Sequence, residues 1–124
     1  MTKINIPIDC NNSPKKKFLK EFNIAFAKGD TDFLIEHVSD DIIWHIHGDK
    51  KIVGKDDFIK EIHQMKNEIA DELILSNIIT HGKQASANGE IKVSGKSYMF
   101  CDVYDFKTAT GKTIKTMESY VIAV

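Results

Sequence analysis

Apolar residues recur at helical spacing near the start of the chain. Phe18, Phe22 and Phe26 lie four residues apart and form one apolar stripe. Ser13-Pro14 before them is typical of a helix start, and Gly29 after them is typical of a left-handed helix cap. The pattern therefore predicts an amphipathic helix that begins near residue 14 and packs its phenylalanines against a core.

Two more helices and one strand are predicted before the middle of the chain. Asp30 can cap a short helix over about residues 31–38, which is predicted to bury Phe33, Leu34 and Val38. Residues 41–47 alternate apolar and polar positions, which is the period of a strand. The third helix follows, with apolar residues again at helical spacing: Phe58, Ile62 and Met65.

The rest of the chain is rich in β-branched and aromatic residues and is divided by glycine-containing turns. Four long strands are predicted there: 72–80, 84–93, 97–106 and 113–124. Asn88-Gly89 lies inside the second of them; a hairpin at this point would leave strands of only about four residues, so a bulge in one long strand is predicted.

The predicted order of elements is α-α-β-α-β-β-β-β. It indicates an α+β fold with about three N-terminal helices on a strongly curved, mostly antiparallel sheet. Such a sheet can leave a conical cavity under the helices. Residues 1–12 are predicted to be a loose or strand-like N-terminal leader and residues 13–124 a single domain.

Charge and composition narrow the functional classes. Seventeen basic and eighteen acidic residues give a net charge of −1, which argues against nucleic-acid binding. No apolar run approaches the ~18 residues of a membrane span, and the start lacks the apolar stretch of a secretion signal. Cys10 and Cys101 make neither a disulfide framework nor a zinc cluster. We therefore expect a cytoplasmic protein that binds neither membrane nor nucleic acid.

Three stretches carry a family resemblance. "AFAKGDTDFLIEHVSDDIIW", "GKDDFIKEI" and "VYDF…GKTIKTMESYVI" resemble the SnoaL-like branch of the NTF2-like superfamily, over about residues 14–123. That superfamily includes ketosteroid isomerase, limonene-epoxide hydrolase and polyketide cyclases. The resemblance implies a cone-shaped α+β barrel, often a homodimer through the outer sheet face. It says little about activity, since the fold hosts enzymes, binders and transport factors.

The isomerase residues that the resemblance implies are mostly missing here. The proton-abstracting aspartate of that enzyme corresponds to Ile46, and its first-helix tyrosine corresponds to Phe22. Its protonated aspartate corresponds to Asp102 in "CDVYDF". Because two of three groups are absent, steroid isomerisation by that mechanism is not expected.

The last two predicted strands can bring two carboxylates together. If Phe106 lies opposite Ile114, then Asp102 lies opposite Glu118 on the cavity face, with Tyr104 opposite Thr116 between them. In a dry pocket such a pair would share a proton, which suits acid–base catalysis. Three alternatives stay open: a register shifted by one residue, solvation at the cone mouth, or a bond from one carboxylate to a backbone group, Tyr104 or Tyr120.

The segment "DIIWHIHG" has two chemically different faces. Ile42, Trp44 and Ile46 share one face, which we expect to point at the cavity, where Trp44 is either a pocket wall or core. His45 and His47 share the other. A His-x-His pair can ligate a metal, but no third or fourth ligand follows at a recognisable spacing. No metal or cofactor is therefore predicted, and the histidines are expected to face solvent or a partner subunit.

Together these patterns predict a pocket for a small apolar or aromatic molecule that carries one polar group. One alternative is an isomerase, cyclase or hydrolase that uses Asp102 and Glu118 in proton transfer. Another is a homodimeric interaction module whose cone is filled by side chains. The predicted wall residues are Phe22, Trp44, Ile46, Phe58, Ile62, Phe100 or its neighbour Met99, Asp102, Tyr104, Glu118 and Tyr120.

Overall fold

The computed structural model describes residues 2–7 and 13–124. Its helices are α1 (Pro14–Lys28), α2 (Thr31–Glu36) and α3 (Lys55–Met65). The predicted caps of α1 are confirmed, since the Ser13 side chain accepts a hydrogen bond from the Lys16 amide and Gly29 has φ 74°. None of the helices in these described ranges combines the length and the hydropathy needed to cross a bilayer.

Seven strands form one sheet in the order β1-β4-β5-β6-β7-β2-β3. Only the β1–β4 and β2–β7 pairs are parallel, so the predicted α+β fold with a curved, mostly antiparallel sheet is confirmed. The strands are β1 (Lys3–Asn5), β2 (Val38–Ile46), β3 (Lys50–Val53), β4 (Glu72–His81), β5 (Gln84–Val93), β6 (Lys96–Phe106) and β7 (Ile114–Ala123).

Two strands are absent from the predicted order of elements, although the leader was predicted to be loose or strand-like. The strand β1 lies within the predicted leader and pairs with β4; Cys10 and the other residues of 8–12 lie outside the described residues, and the domain boundary stays a prediction. The strand β3 forms a hairpin with β2. Its four residues, "KKIV", are too few to display a clear period of two.

The second helix is shorter than predicted because the sheet takes its last residues. It ends at Glu36, and Val38 already belongs to β2. The Ile114 amide donates to the His37 carbonyl at 2.9 Å, and Val38 pairs with Ile114. Val38 is buried as predicted, although in a strand.

A β-bulge between β4 and β5 lies beside Gly89. The prediction of one long strand through Asn88-Gly89 is confirmed, but the extra residue of the bulge, Ser76, belongs to the partner strand β4. A Cβ atom on Gly89 would overlap the Ile74 carbonyl oxygen. Glycine therefore allows the backbones of β4 and β5 to approach closely at the bulge, and bulges of this kind bend a strand.

Candidate functional site

A pocket of about 540 Å³ opens on the concave side of the sheet. Four predicted wall residues line it: Trp44, Ile46, Phe100 and Asp102. About half of the remaining wall residues are apolar, and the wall also includes polar side chains, which are Asn23, His47, Asp49, Glu61, Glu68 and Ser119. The additional apolar side chains are Phe26, Met65, Leu73, Ile91, Met117 and Val121.

Other predicted wall residues fill the core behind the pocket. Phe22, Phe58 and Tyr104 are at most 1% exposed and do not line the pocket. The Phe22 and Tyr104 rings pack edge to face with centroids 6.3 Å apart, and the Phe58 and Trp44 ring centroids are 5.7 Å apart. Ile62 instead lines an adjoining groove of about 470 Å³. Aromatic side chains thus fill the core behind the pocket.

The predicted pairing of Asp102 with Glu118 is wrong. Phe106 does lie opposite Ile114, but the register then shifts by one residue, so that Asp102 pairs with Ser119 and Glu118 with Val103. The shift is a bulge that the strand pattern does not reveal, and it reverses the face of every later β7 side chain. Glu118 and the predicted wall residue Tyr120 consequently do not line the pocket.

The shifted register places Ser119 beside Asp102 in a hydrogen-bonded network on the pocket wall. The Tyr104 hydroxyl donates to Asp102 Oδ2 at 3.3 Å and accepts from Asn23 Nδ2 at 3.3 Å. Ser119 is the second side-chain partner of Asp102, and its Oγ accepts from Trp44 Nε1 at 2.9 Å. The Asp102 carboxyl is therefore linked on one side through Tyr104 to Asn23 and on the other through Ser119 to Trp44. The alternative of a bond from Asp102 to Tyr104 is thus confirmed.

Burial controls the protonation of this network. It raises the pKa of Asp102 to about 6, against the opposing effect of hydrogen bonds from Ser119 and Tyr104. Burial, followed by the nearby Asp102 charge, raises the pKa of Tyr104 well above its usual value. Tyr104 thus stays a hydrogen-bond donor at neutral pH, while Asp102 can gain or lose a proton close to neutrality.

Two members of the network, Asn23 and Ser119, were not predicted. Asn23 lies four residues after Leu19, so helical periodicity places it on the buried face of α1; this was a usable signal. Its amide also donates to the Leu19 carbonyl at 2.8 Å. Ser119 was hidden by the register shift in the last hairpin.

A second polar cluster, on the opposite face of the same strands, consists of His45, His47 and Glu118. His47 Nε2 lies 2.9 Å from Glu118 Oε1, and His45 is paired with Glu118 in the β2–β7 register. One ligand atom from each of the three residues lies within 4.8 Å of the others. The sequence reasoning missed this cluster because it assigned Glu118 to the pocket.

Comparison with known proteins supports the fold at low sequence identity. An NTF2-like protein of unknown function from Cytophaga hutchinsonii is 27% identical, with TM-score 0.66, covering 87% of this chain and 99% of that one. A Mycobacterium tuberculosis LEH-like epoxide hydrolase is 15% identical, with TM-score 0.71, over 86% of this chain and 80% of its own.

A SnoaL-like protein from Shewanella denitrificans is 10% identical, with TM-score 0.73, over 90% and 92% of the two chains. No protein-family model matches the sequence, and no curated protein matches it. The structural likenesses confirm the resemblance found in the sequence at the level of the fold.

Proposed function

We propose that this chain, whose fold is that of the NTF2-like superfamily, binds a small, mainly apolar or aromatic molecule and holds one polar group of it at Asp102. One observation carries the proposal: the Asp102 carboxyl lies on the wall of an apolar pocket and is held by hydrogen-bonding side chains behind it. Small-molecule sites commonly combine an apolar wall with a few placed polar groups.

The size of the pocket supports a ligand of modest dimensions. Its volume of about 540 Å³ falls within the ~300–1,000 Å³ that such sites usually have. Trp44 is 5% exposed and contributes a flat apolar surface whose indole N–H is already bonded to Ser119. A ligand therefore meets the ring of Trp44 as an apolar wall and finds its polar partner at Asp102.

The chemistry of Asp102 specifies the polar group. Below its pKa of about 6 the carboxyl is neutral, and above it the carboxylate is an acceptor only. Tyr104 and Ser119 occupy part of its acceptor capacity, and a carboxylate has about four lone-pair sites. At neutral pH we therefore expect a ligand that donates a hydrogen bond, such as a phenol or an alcohol.

The test is calorimetric titration with 4-propylphenol and with propylbenzene, which differ by one hydroxyl. We expect the phenol to bind more tightly by about tenfold or more, and Asp102→Leu to abolish that difference. The matched control is Glu21→Gln, an exposed carboxylate on α1, which should retain it. Equal binding of both compounds would refute the role of Asp102, and the absence of binding by either would refute the small-molecule pocket.

Proton-transfer catalysis is the alternative, and the pKa of Asp102 near 6 favours it. In this version Asp102 acts without Glu118, as acid or base in an isomerase, cyclase or hydrolase. The epoxide hydrolase among the similar structures makes epoxides a reasonable first substrate class. Styrene oxide turnover with an inflection near pH 6, lost in Asp102→Asn, would support catalysis; diol formation at the uncatalysed rate across that pH range would exclude this activity.

The remaining expectations concern assembly. An interaction module without ligand requires a cone filled by side chains, and the pocket of about 540 Å³ argues against it. The homodimer implied by the family resemblance stays a prediction. Light scattering on the purified chain, with a mass of twice 14.0 kDa expected, measures it directly.

A further inference from the structure

We propose that His45, His47 and Glu118 form a binding site for a divalent transition-metal ion, zinc above all, on the convex face of the sheet. The proposal is independent of the role proposed for Asp102, because none of its three residues belongs to the Asp102 hydrogen-bonded network. Two imidazoles and one carboxylate are a ligand set that binds Zn²⁺ while leaving a position for water or substrate. In the described part of the chain, these residues are the one group of three whose ligand atoms approach in this way.

Strand geometry brings the three side chains together. The strands β2 and β7 are parallel neighbours, and His45 is directly paired with Glu118. His47 is the first residue after β2, and its ring stacks on the His45 ring with centroids 3.9 Å apart, so the two imidazoles lie on the same side of the sheet. The register that removes Glu118 from the pocket is thus what supplies the ligand that the His-x-His pair lacks.

The distances suit coordination after small side-chain rotations. His47 Nε2 and Glu118 Oε1 are 2.9 Å apart, whereas two ligands of a tetrahedral zinc, with bonds of about 2.0–2.1 Å, lie about 3.3 Å apart. The remaining ligand atoms lie within 4.8 Å. An ion between them would replace the His47–Glu118 hydrogen bond with two metal bonds.

The neighbourhood of His47 holds its ring in place. Tyr120 stacks on it at 4.4 Å with an interplanar angle of 4°, and His45 stacks on it at 3.9 Å. The His47 amide also donates to the Ser119 carbonyl at 3.0 Å, which ties the end of β2 to β7. A ligand held in this way loses little rotamer freedom when the ion binds.

The cluster is accessible to an ion from solvent. The His47 and Glu118 side chains are 31% and 44% exposed in the single chain. His47 also borders the pocket, so a bound ion would lie near the rim of the pocket, on the other side of the sheet from Asp102. Access for a hydrated ion and for a fourth, exchangeable ligand is therefore present.

The test is calorimetric titration of the chelator-washed full chain with ZnCl₂ alone, at neutral pH. We expect one ion per chain. Loss of an outer-shell partner already weakens metal binding by about 10–100-fold. His47→Gln and Glu118→Gln, which remove ligands, should therefore weaken zinc binding by at least about tenfold. Addition of Co²⁺ should produce visible absorption bands in the wild type that both variants lack.

Two control variants make the outcome specific. His63→Gln changes an exposed histidine on α3 outside the cluster. Cys101→Ser removes a thiol close to the cluster, since Cys101 pairs with Tyr120, which stacks on His47. Both should bind zinc like the wild type, and circular dichroism checks that every variant is folded. Unchanged zinc affinity in folded His47→Gln, or an equal loss in either control, would overturn the proposal.

Discussion

The two faces of strands β2 and β7 differ sharply in burial and hydrogen bonding, although residues adjacent in sequence alternate between them. On the concave face, Trp44 and Ser119 are each 5% exposed and hydrogen-bond to each other. One residue away on the convex face, His45 and Glu118 are partly exposed. Within the described ranges, no buried side-chain nitrogen or oxygen lacks a partner. A shift of one residue thus decides whether a polar group belongs to a buried network or to an accessible cluster.

This difference has an energetic consequence. A polar group in the buried network cannot turn to water when its partner is removed, so its desolvation cost is fully felt. A group in the accessible cluster exchanges its partner for water at little cost. Substitutions of polar residues on the concave face should therefore lower the free energy of unfolding. Substitutions on the convex face should mainly weaken binding.

The largest effect is expected at the bulge between β4 and β5, outside the two faces compared above. Gly89→Ala places a Cβ atom against the Ile74 carbonyl, which is backbone and cannot rotate away. We expect the free energy of unfolding to fall by about 3 kcal/mol or more, measured by urea denaturation. Gly111→Ala is the control, because the nearest atom there is the Thr108 hydroxyl oxygen, at the end of a side chain. Equal stability of the two variants would show that the close backbone approach at Gly89 does not limit which side chain the position accepts.

The next effect concerns pH and the buried carboxyl. The pKa of Asp102 is raised from 3.8 to about 6 in the folded chain, so folding favours its neutral form. That contribution is complete below pH 4 and is lost as the pH rises through 6. The unfolding free energy of the wild type, relative to Asp102→Asn, should therefore fall by on the order of 2–3 kcal/mol between pH 4 and pH 8.

Urea denaturation of both proteins across this pH range measures the difference, and other titrating groups cancel in it. A difference that does not change with pH would mean that the Asp102 carboxylate is well solvated. Water would then reach Asp102 more freely than the burial of the neighbouring concave-face side chains indicates.

The smallest effect, and the most direct comparison of the faces, uses adjacent residues of β7. Ser119→Ala leaves the buried Trp44 N–H without its acceptor and should cost about 1–3 kcal/mol. Glu118→Ala removes a side chain that is 44% exposed and should change stability by no more than about 0.5 kcal/mol without metal. Chemical denaturation of both variants decides the matter, and a larger cost for Glu118→Ala would reverse our assignment of the two faces.

Much of the fold could be predicted because its signals are periodic. The stripe of Phe18, Phe22 and Phe26, with a cap on each side, predicted α1, and the structure confirms this helix. The four long strands, predicted from their β-branched and aromatic residues and the glycine-containing turns between them, are also confirmed. Trp44, Ile46, Phe100 and Asp102 line the pocket as predicted, and their functional roles stay predictions.

The part that could not be predicted depends on pairing rather than on pattern. Nothing in the sequence marks where the β6–β7 register shifts between Asp105 and Phe106. The parallel pairing of β2 with β7 joins distant segments, and a single sequence carries no signal of it either. Ser119 and Glu118 therefore exchanged faces relative to the prediction.

The position of β7 also affects how the chain reaches its working form. It follows every other described element in sequence, yet it lies between β6 and β2 in the sheet. Until β7 inserts, two strand edges remain unpaired, which favours self-association, and closing such distant pairs is slow. Neither Asp102 nor the histidines can have their β7 partners before that step, so ligand and metal binding would report completion of folding.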